Sequence, residues 1–231
     1  MPDTIATRLL IVHERLAQAT LACARDPHSV TLLAVSKTFG HADVRSAARC
    51  GQRDFGENYL QEALDKQTLL TDLDLVWHFI GPIQSNKTRG IAEHFAWAHS
   101  VDRLRIAERL SGQRPESLPP LNVCLEVNIS GEASKGGVMP ETLPTLAAQV
   151  AALPGLKLRG LMAIPAPTRD PARQRAAFHQ VRLLFDDLNA RGHQLDTLSM
   201  GMSGDFESAI AEGATIVRIG TAIFGVREPE V

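Results

Sequence analysis

The strongest constraint on what this chain can fold into is an alternation of two periods. Eight short apolar or β-branched runs, at residues 31–36, 54–56, 75–80, 95–100, 121–129, 158–164, 195–200 and 215–219, alternate with stretches of helical spacing. Ahead of the first run, Ile5, Leu9, Val12 and Leu16 fall on one helical stripe. Between the sixth and seventh, Asp170-Pro171 reads as an N-cap followed by proline at the first helical position. Phe178, Val181, Leu184 and Leu188 give that helix a buried stripe, and Gly192 stops it. Strands that alternate with helices in this way pair in parallel through right-handed crossovers, and eight of them close a barrel. The expected fold is therefore α/β, a single (β/α)8 TIM barrel forming one domain over residues 1–231; a doubly wound open sheet is the runner-up.

Composition narrows the function classes. A hydrophobic content of 44% with 22% charged residues is that of a globular protein, and a net charge of -2 gives no electrostatic case for nucleic acid or an anionic membrane. Cys23, Cys50 and Cys124 are widely spaced with no CxxC pair, so neither a disulfide framework nor a zinc site is expected, and no metal. His94 and His99 stand five apart, on different helix faces, and no HExxH occurs. No stretch reaches the ~18–20 apolar residues of a membrane span, and the N-terminus lacks a signal peptide's apolar run. The expectation is a cytoplasmic protein. Of 24 basic residues only five are lysines (Lys37, Lys66, Lys87, Lys135 and Lys157), so chemistry that needs an amine has few candidates.

In barrels of this kind the site lies at the C-terminal ends of the strands. Lys37 directly follows the first run. It is either a lysine snorkelling to water or an amine activated at the barrel mouth. The last two strands lead into Ser199-Met200-Gly201-Met202-Ser203-Gly204-Asp205 and Arg218-Ile219-Gly220-Thr221-Ala222-Ile223-Phe224-Gly225. Loops in those two places bind phosphate: glycines admit a close anion, Ser203 and Thr221 offer hydroxyls, and helix starts after them point positive dipole ends at it. The bland alternative is N-capping by Ser203 and a glycine turn. A lysine that forms a Schiff base, facing a phosphate site across the mouth, describes pyridoxal 5'-phosphate. Arg218 then points inward near the ring. A guanidinium at the pyridine nitrogen leaves it unprotonated and the ring a weak electron sink.

Five segments together resemble one family. They are Ala34-Val35-Ser36-Lys37-Thr38, Phe55-Gly56-Glu57-Asn58-Tyr59, Trp77-His78-Phe79-Ile80-Gly81-Pro82-Ile83-Gln84-Ser85-Asn86-Lys87, Ser199-Met200-Gly201-Met202-Ser203 with Asp205, and Val217-Arg218-Ile219-Gly220-Thr221-Ala222-Ile223-Phe224-Gly225. The chain is similar over nearly its whole length to the pyridoxal phosphate homeostasis protein family, called YggS in bacteria and PROSC in animals. The resemblance implies a barrel like the N-terminal domain of alanine racemase, with pyridoxal 5'-phosphate on Lys37. Ser203, Gly220 and Thr221 would hold the phosphate, Arg218 would meet the pyridine nitrogen, and Asn58 and Met200 would line the ring. It also implies a role in intracellular vitamin B6 homeostasis without robust turnover; apo enzymes that use the cofactor are the expected recipients, and a monomer is expected because nothing in the sequence demands a dimer. One departure concerns the loop after Thr38, where the family usually has a nearby proline and this chain has Phe39-Gly40-His41.

Two enzyme readings compete. An amino-acid racemase needs an acid/base on each face of the Schiff base; Lys37 could serve one, but the only tyrosine is Tyr59, and the chain ends at about a barrel's length, without the second domain of the related enzymes. A class I aldolase would use the phosphate loops equally well, yet the sixth run carries no lysine in Leu161-Met162-Ala163. Elsewhere, His78 reads as a satisfied core or rim histidine more than a cofactor contact. The 84–87 loop is balanced between ligand contact and helix capping, Gly136-Gly137 reads as a rim loop, and Glu126 and Asn128 end the fifth run near the mouth.

Overall fold

The eight runs become eight parallel strands in a computed structural model that describes residues 4–132 and 136–225. They are β1 (Thr31–Val35), β2 (Asp54–Glu57), β3 (Val76–Phe79), β4 (Trp97–Val101), β5 (Leu121–Glu126), β6 (Leu156–Met162), β7 (Thr197–Ser199) and β8 (Ile216–Ile219). Each pairs with the next, and β8 returns to β1 through Thr31↔Ile216, Leu32↔Val217, Leu33↔Arg218 and Ala34↔Ile219. The sheet is a closed barrel, not the open alternative. Lys135, and the two ends of the expected 1–231 domain, lie outside the described residues.

Helix α1 (Ile5–Ala22) precedes the barrel. The crossovers carry α2 (His41–Arg49), α3 (Leu60–Leu69), α4 (Thr88–His94), α5 (Leu104–Gln113), α6 (Leu143–Ala151), α7 (Pro171–Ala190) and α8 (Phe206–Ala211), and α9 (Thr221–Phe224) follows β8. The stripe of α1 buries Leu9, Val12 and Leu16. In α7, Asp170 caps by accepting from the Ala172 N–H ahead of Pro171, and Phe178, Val181, Phe185 and Leu188 are buried. Phe185 takes the place expected of Leu184, because the 3.6-residue period admits either neighbour.

Strand residues alternate between two surfaces. Leu32, Ala34, Phe55, Trp77, Phe79, Val123, Leu198 and Val217 join the helices in one apolar cluster. The intervening Leu33, Gly56, His78, His99, Cys124, Ser199 and Arg218 turn into the barrel, which is thus polar as well as packed. Three strands start two residues away from the expected position, β4 and β7 later and β6 earlier. Phe95 and Ala96 precede β4, because Phe95 caps α4 and buries its ring against Phe79. β6 begins at Leu156, two residues earlier, and Ala163 to Pro167 continue past its end towards the rim.

No described helix is long and apolar enough to cross a membrane.

Candidate functional site

The C-terminal strand ends surround a cavity of about 330 Å³ lined by Val35, Lys37, Asn58, Ile80, Ile164, Met202, Ser203, Gly204, Arg218, Gly220 and Thr221. Lys37, Asn58, Ser203, Arg218, Gly220 and Thr221 are thereby brought together from four strand ends. Met200 is placed differently: it is fully buried in the apolar cluster on the helix side. The reason is parity, since Ser199 faces the barrel interior and the next residue points the other way. Val35, Ile80, Ile164, Met202 and Gly204 were not foreseen as lining residues. Their signal was only that each stands at or just past a strand end.

Lys37 leaves β1 on a segment held from below. Ser36 N–H donates to Gly56 O at 3.0 Å and Ser36 Oγ to Glu57 Oε1 at 2.6 Å. The buried Lys66 ammonium donates to Ser36 O at 2.8 Å, Glu57 Oε1 at 2.7 Å and Glu62 Oε1 at 2.6 Å. Glu62 also accepts the Thr38 N–H. Burial raises the Glu57 carboxyl above its ordinary pKa, while Lys66 and Ser36 pull it back. Thr38 adopts a left-handed φ of 69°, and Phe39 N–H closes a turn on Ser36 O at 3.0 Å. Where a proline was expected, the Phe39 ring stacks on Phe224 at 5.1 Å, tying the Lys37 loop to the end of α9. Such a brace fixes where the Lys37 amine can reach.

The adjoining wall comes from β8, which pairs with β1, and from β7 beyond it. Gly201 turns at φ 94°, and a Cβ there would stand 2.6 Å from the Ala209 Cβ. Helix α8 begins at Phe206, later than expected, so Ser203 stands in the turn before it and is not its cap; Asp205 accepts the Met202 N–H at 2.6 Å. Gly220 lies against β1, where a Cβ would meet Val35 O at 3.1 Å, and Thr221 opens α9. Arg218 Nη1 donates to Ser199 O at 2.5 Å and Ser199 Oγ at 2.8 Å, and Nη2 to Ala163 O at 3.0 Å. These contacts use three of the guanidinium's five N–H donors. Burial lowers its pKa to about 10, with the Asp205 and Glu126 carboxyls acting in the other direction. Asn58 Oδ1 is buried and has no hydrogen-bond partner in the fold.

Other candidates lie away from the cavity. His78 is buried, bonded to His99 and Asp54. In the 84–87 loop, Lys87 is the N-cap position of α4 and Ser85 O accepts from Thr88 Oγ1. Gly136 stands near the Glu126 carboxyl and Gly137 turns at φ 109°, leading Val138 into a bridge with Val127. Asn128 is buried and Tyr59 is 55% exposed. Among the described residues no cluster of His, Cys, Asp or Glu is arranged to hold a metal.

Residues 15–228 match the family described as alanine racemase, N-terminal domain. The pyridoxal phosphate homeostasis protein of Pseudomonas aeruginosa is 65% identical over 98% of this chain and 97% of its own length. Its namesake in Escherichia coli strain K12 is 53% identical over 98% of each. The solved structure of PipY of Synechococcus elongatus with PLP bound aligns with a TM-score of 0.82 at 42% identity, covering 96% of this chain and 100% of that one.

Proposed function

The chain belongs to the pyridoxal phosphate homeostasis protein family, and from that premise we propose that it binds pyridoxal 5'-phosphate on Lys37 and serves vitamin B6 homeostasis with no robust turnover of its own. One observation carries this reading: a single cavity is lined by Lys37, Ser203, Arg218, Gly220 and Thr221 together. The donor set fits the group. A lysine suits its aldehyde, and two hydroxyls beside two glycines suit its phosphate, because small residues let backbone N–H groups approach an anion. The orphaned Asn58 Oδ1 asks for a polar partner from a bound molecule or water.

When bound, the cofactor supplies an electrophilic aldehyde and an electron-withdrawing pyridine ring. Lys37 would hold the aldehyde end through its amine, and its braced loop would limit the entropy lost in doing so. Ser203 and Thr221 would donate their hydroxyls to the phosphate. Arg218 would donate to the ring nitrogen as a cation that keeps its own protons, and a ring held in that way would be a weak electron sink. Val35, Ile80, Ile164 and Met202 cover the apolar surface. Tyr59 is exposed and is not among the residues that line the cavity, which supports carriage over racemisation. Residues 1–231 act as one domain in this reading, a cytoplasmic monomer handing the cofactor to apo enzymes.

The test is an absorbance titration with pyridoxal 5'-phosphate and with pyridoxal. The phosphate form should bind far more tightly; equal affinities would remove the phosphate role from the β7 and β8 loops.

A further inference from the structure

The barrel interior is crossed by a line of polar side chains. Asp54 Oδ1 lies 3.0 Å from His78 Nε2, and His78 Nδ1 lies 3.0 Å from His99 Nε2. His99 Nδ1 is 2.8 Å from Ser199 Oγ, which also accepts from Arg218 Nη1 at 2.8 Å. His78, His99 and Ser199 are buried, at 1%, 0% and 0% exposure. Asp54 opens β2, so it lies at the barrel end opposite the cavity, and its side chain is 29% exposed. The line therefore runs from one face of the barrel to the site at the other.

Hydrogen-bond logic gives it a direction. Arginine only donates and a carboxylate only accepts, so every group between them must accept on one side and donate on the other. His78 presents Nε2–H to Asp54, which leaves Nδ1 to accept. His99 then presents Nε2–H to His78 and accepts at Nδ1 from the Ser199 hydroxyl. The Ser199 oxygen finally accepts the hydrogen bond from Arg218 Nη1. With neutral imidazoles, one tautomer pair satisfies all four contacts. Burial does hold both rings neutral, lowering the pKa of His78 and lowering that of His99 well below the ordinary value. Chains aligned in one sense polarise one another, so each bond strengthens the next.

We propose that Ser199 and His99, backed by His78, are positioning residues that fix the Arg218 guanidinium and set how strongly it acts on the group bound in the cavity, so that the spectrum of that group senses Asp54 at the far end of the barrel. The proposal rests on the reading of the cavity as a pyridoxal 5'-phosphate site. Ser199 carries the coupling because its hydroxyl touches both His99 and Arg218. Without it, Nη1 keeps only the Ser199 carbonyl, and the imidazole line ends before it reaches the cation.

The experiment has two arms. In protein without added cofactor, nitrogen NMR of the imidazoles should find both rings neutral with the proton on Nε2, and Ser199→Ala should move the His99 Nδ1 signal. A proton on Nδ1 of either ring would overturn the line as drawn. In protein loaded with pyridoxal 5'-phosphate, Ser199→Ala should shift the absorption maximum and weaken binding by about 2- to 12-fold, the loss of one hydrogen bond. Ser199→Thr, which keeps the hydroxyl, should restore both. Asp54→Asn keeps the shape of the residue at an exposed end and should shift the maximum in the same direction. Spectra of Ser199→Ala and Asp54→Asn that superimpose on the wild type would overturn the proposal alone. Failure of the wild type to take up the cofactor would overturn the reading beneath it as well.

Discussion

Ser203 and Thr221 line the same cavity as Lys37, and in the proposed reading each offers the phosphate a hydroxyl. Removing one hydrogen bond to a charged group costs about 1.5–3 kcal/mol, so Ser203→Ala should weaken cofactor binding roughly 10- to 150-fold. Thr221→Val keeps the shape and should act similarly; both are read by the same absorbance titration, and unchanged affinities would move the phosphate elsewhere. The cysteines separate by environment: burial pushes the Cys124 thiol up to about 12, while Cys50 is exposed. Iodoacetamide at neutral pH should therefore modify Cys50 and spare Cys124 until the protein unfolds, which mass spectrometry of timed samples would reveal. Single residues at strand ends were legible in the sequence because a lysine or glycine there carries a local signal. Met200 was misplaced by one step of strand parity, which no local pattern around it revealed.

At the scale of elements, the pairing of β6 with β7 depends on Gly160, where a Cβ would come 1.7 Å from Thr197 O. Gly160→Ala must force these backbones apart, at a cost of about 1–3 kcal/mol or more, measurable by urea denaturation. The His78–His99 pair gives an acid sensitivity whose sign follows from linkage. Both folded pKa values lie below the ordinary 6.5, so between those values the unfolded chain binds more protons and stability falls as pH drops. Glu57, Glu126 and Asp205, raised mainly by burial, act with the opposite sign. A His78→Gln/His99→Gln variant should therefore lose less stability than the wild type between pH 7 and 5, whatever its absolute stability; an equal slope would deny the pair this role. The elements themselves were readable from their two periods. The line joining them was not, because His99 and Ser199 stand 100 positions apart and meet only once the barrel closes.

For the whole molecule, eight alternating runs gave the barrel, and closure through β1 and β8 is what gathers distant strand ends into one cavity. In the proposed reading, an Arg218 that leaves the ring a weak electron sink, with Tyr59 outside the cavity lining, predicts exchange without turnover. Holoprotein incubated with L-alanine in deuterated water should show little α-proton exchange and no inversion; rapid inversion abolished by both Lys37→Ala and Tyr59→Phe would make it a racemase. The central claim is the covalent one, and borohydride reduction of the loaded protein followed by peptide mapping tests it most directly. The account predicts a pyridoxyl phosphate label on the Lys37 peptide, absent from a folded Lys37→Ala variant. A label found mainly on Lys87 or Lys135, or undiminished in Lys37→Ala, would contradict it.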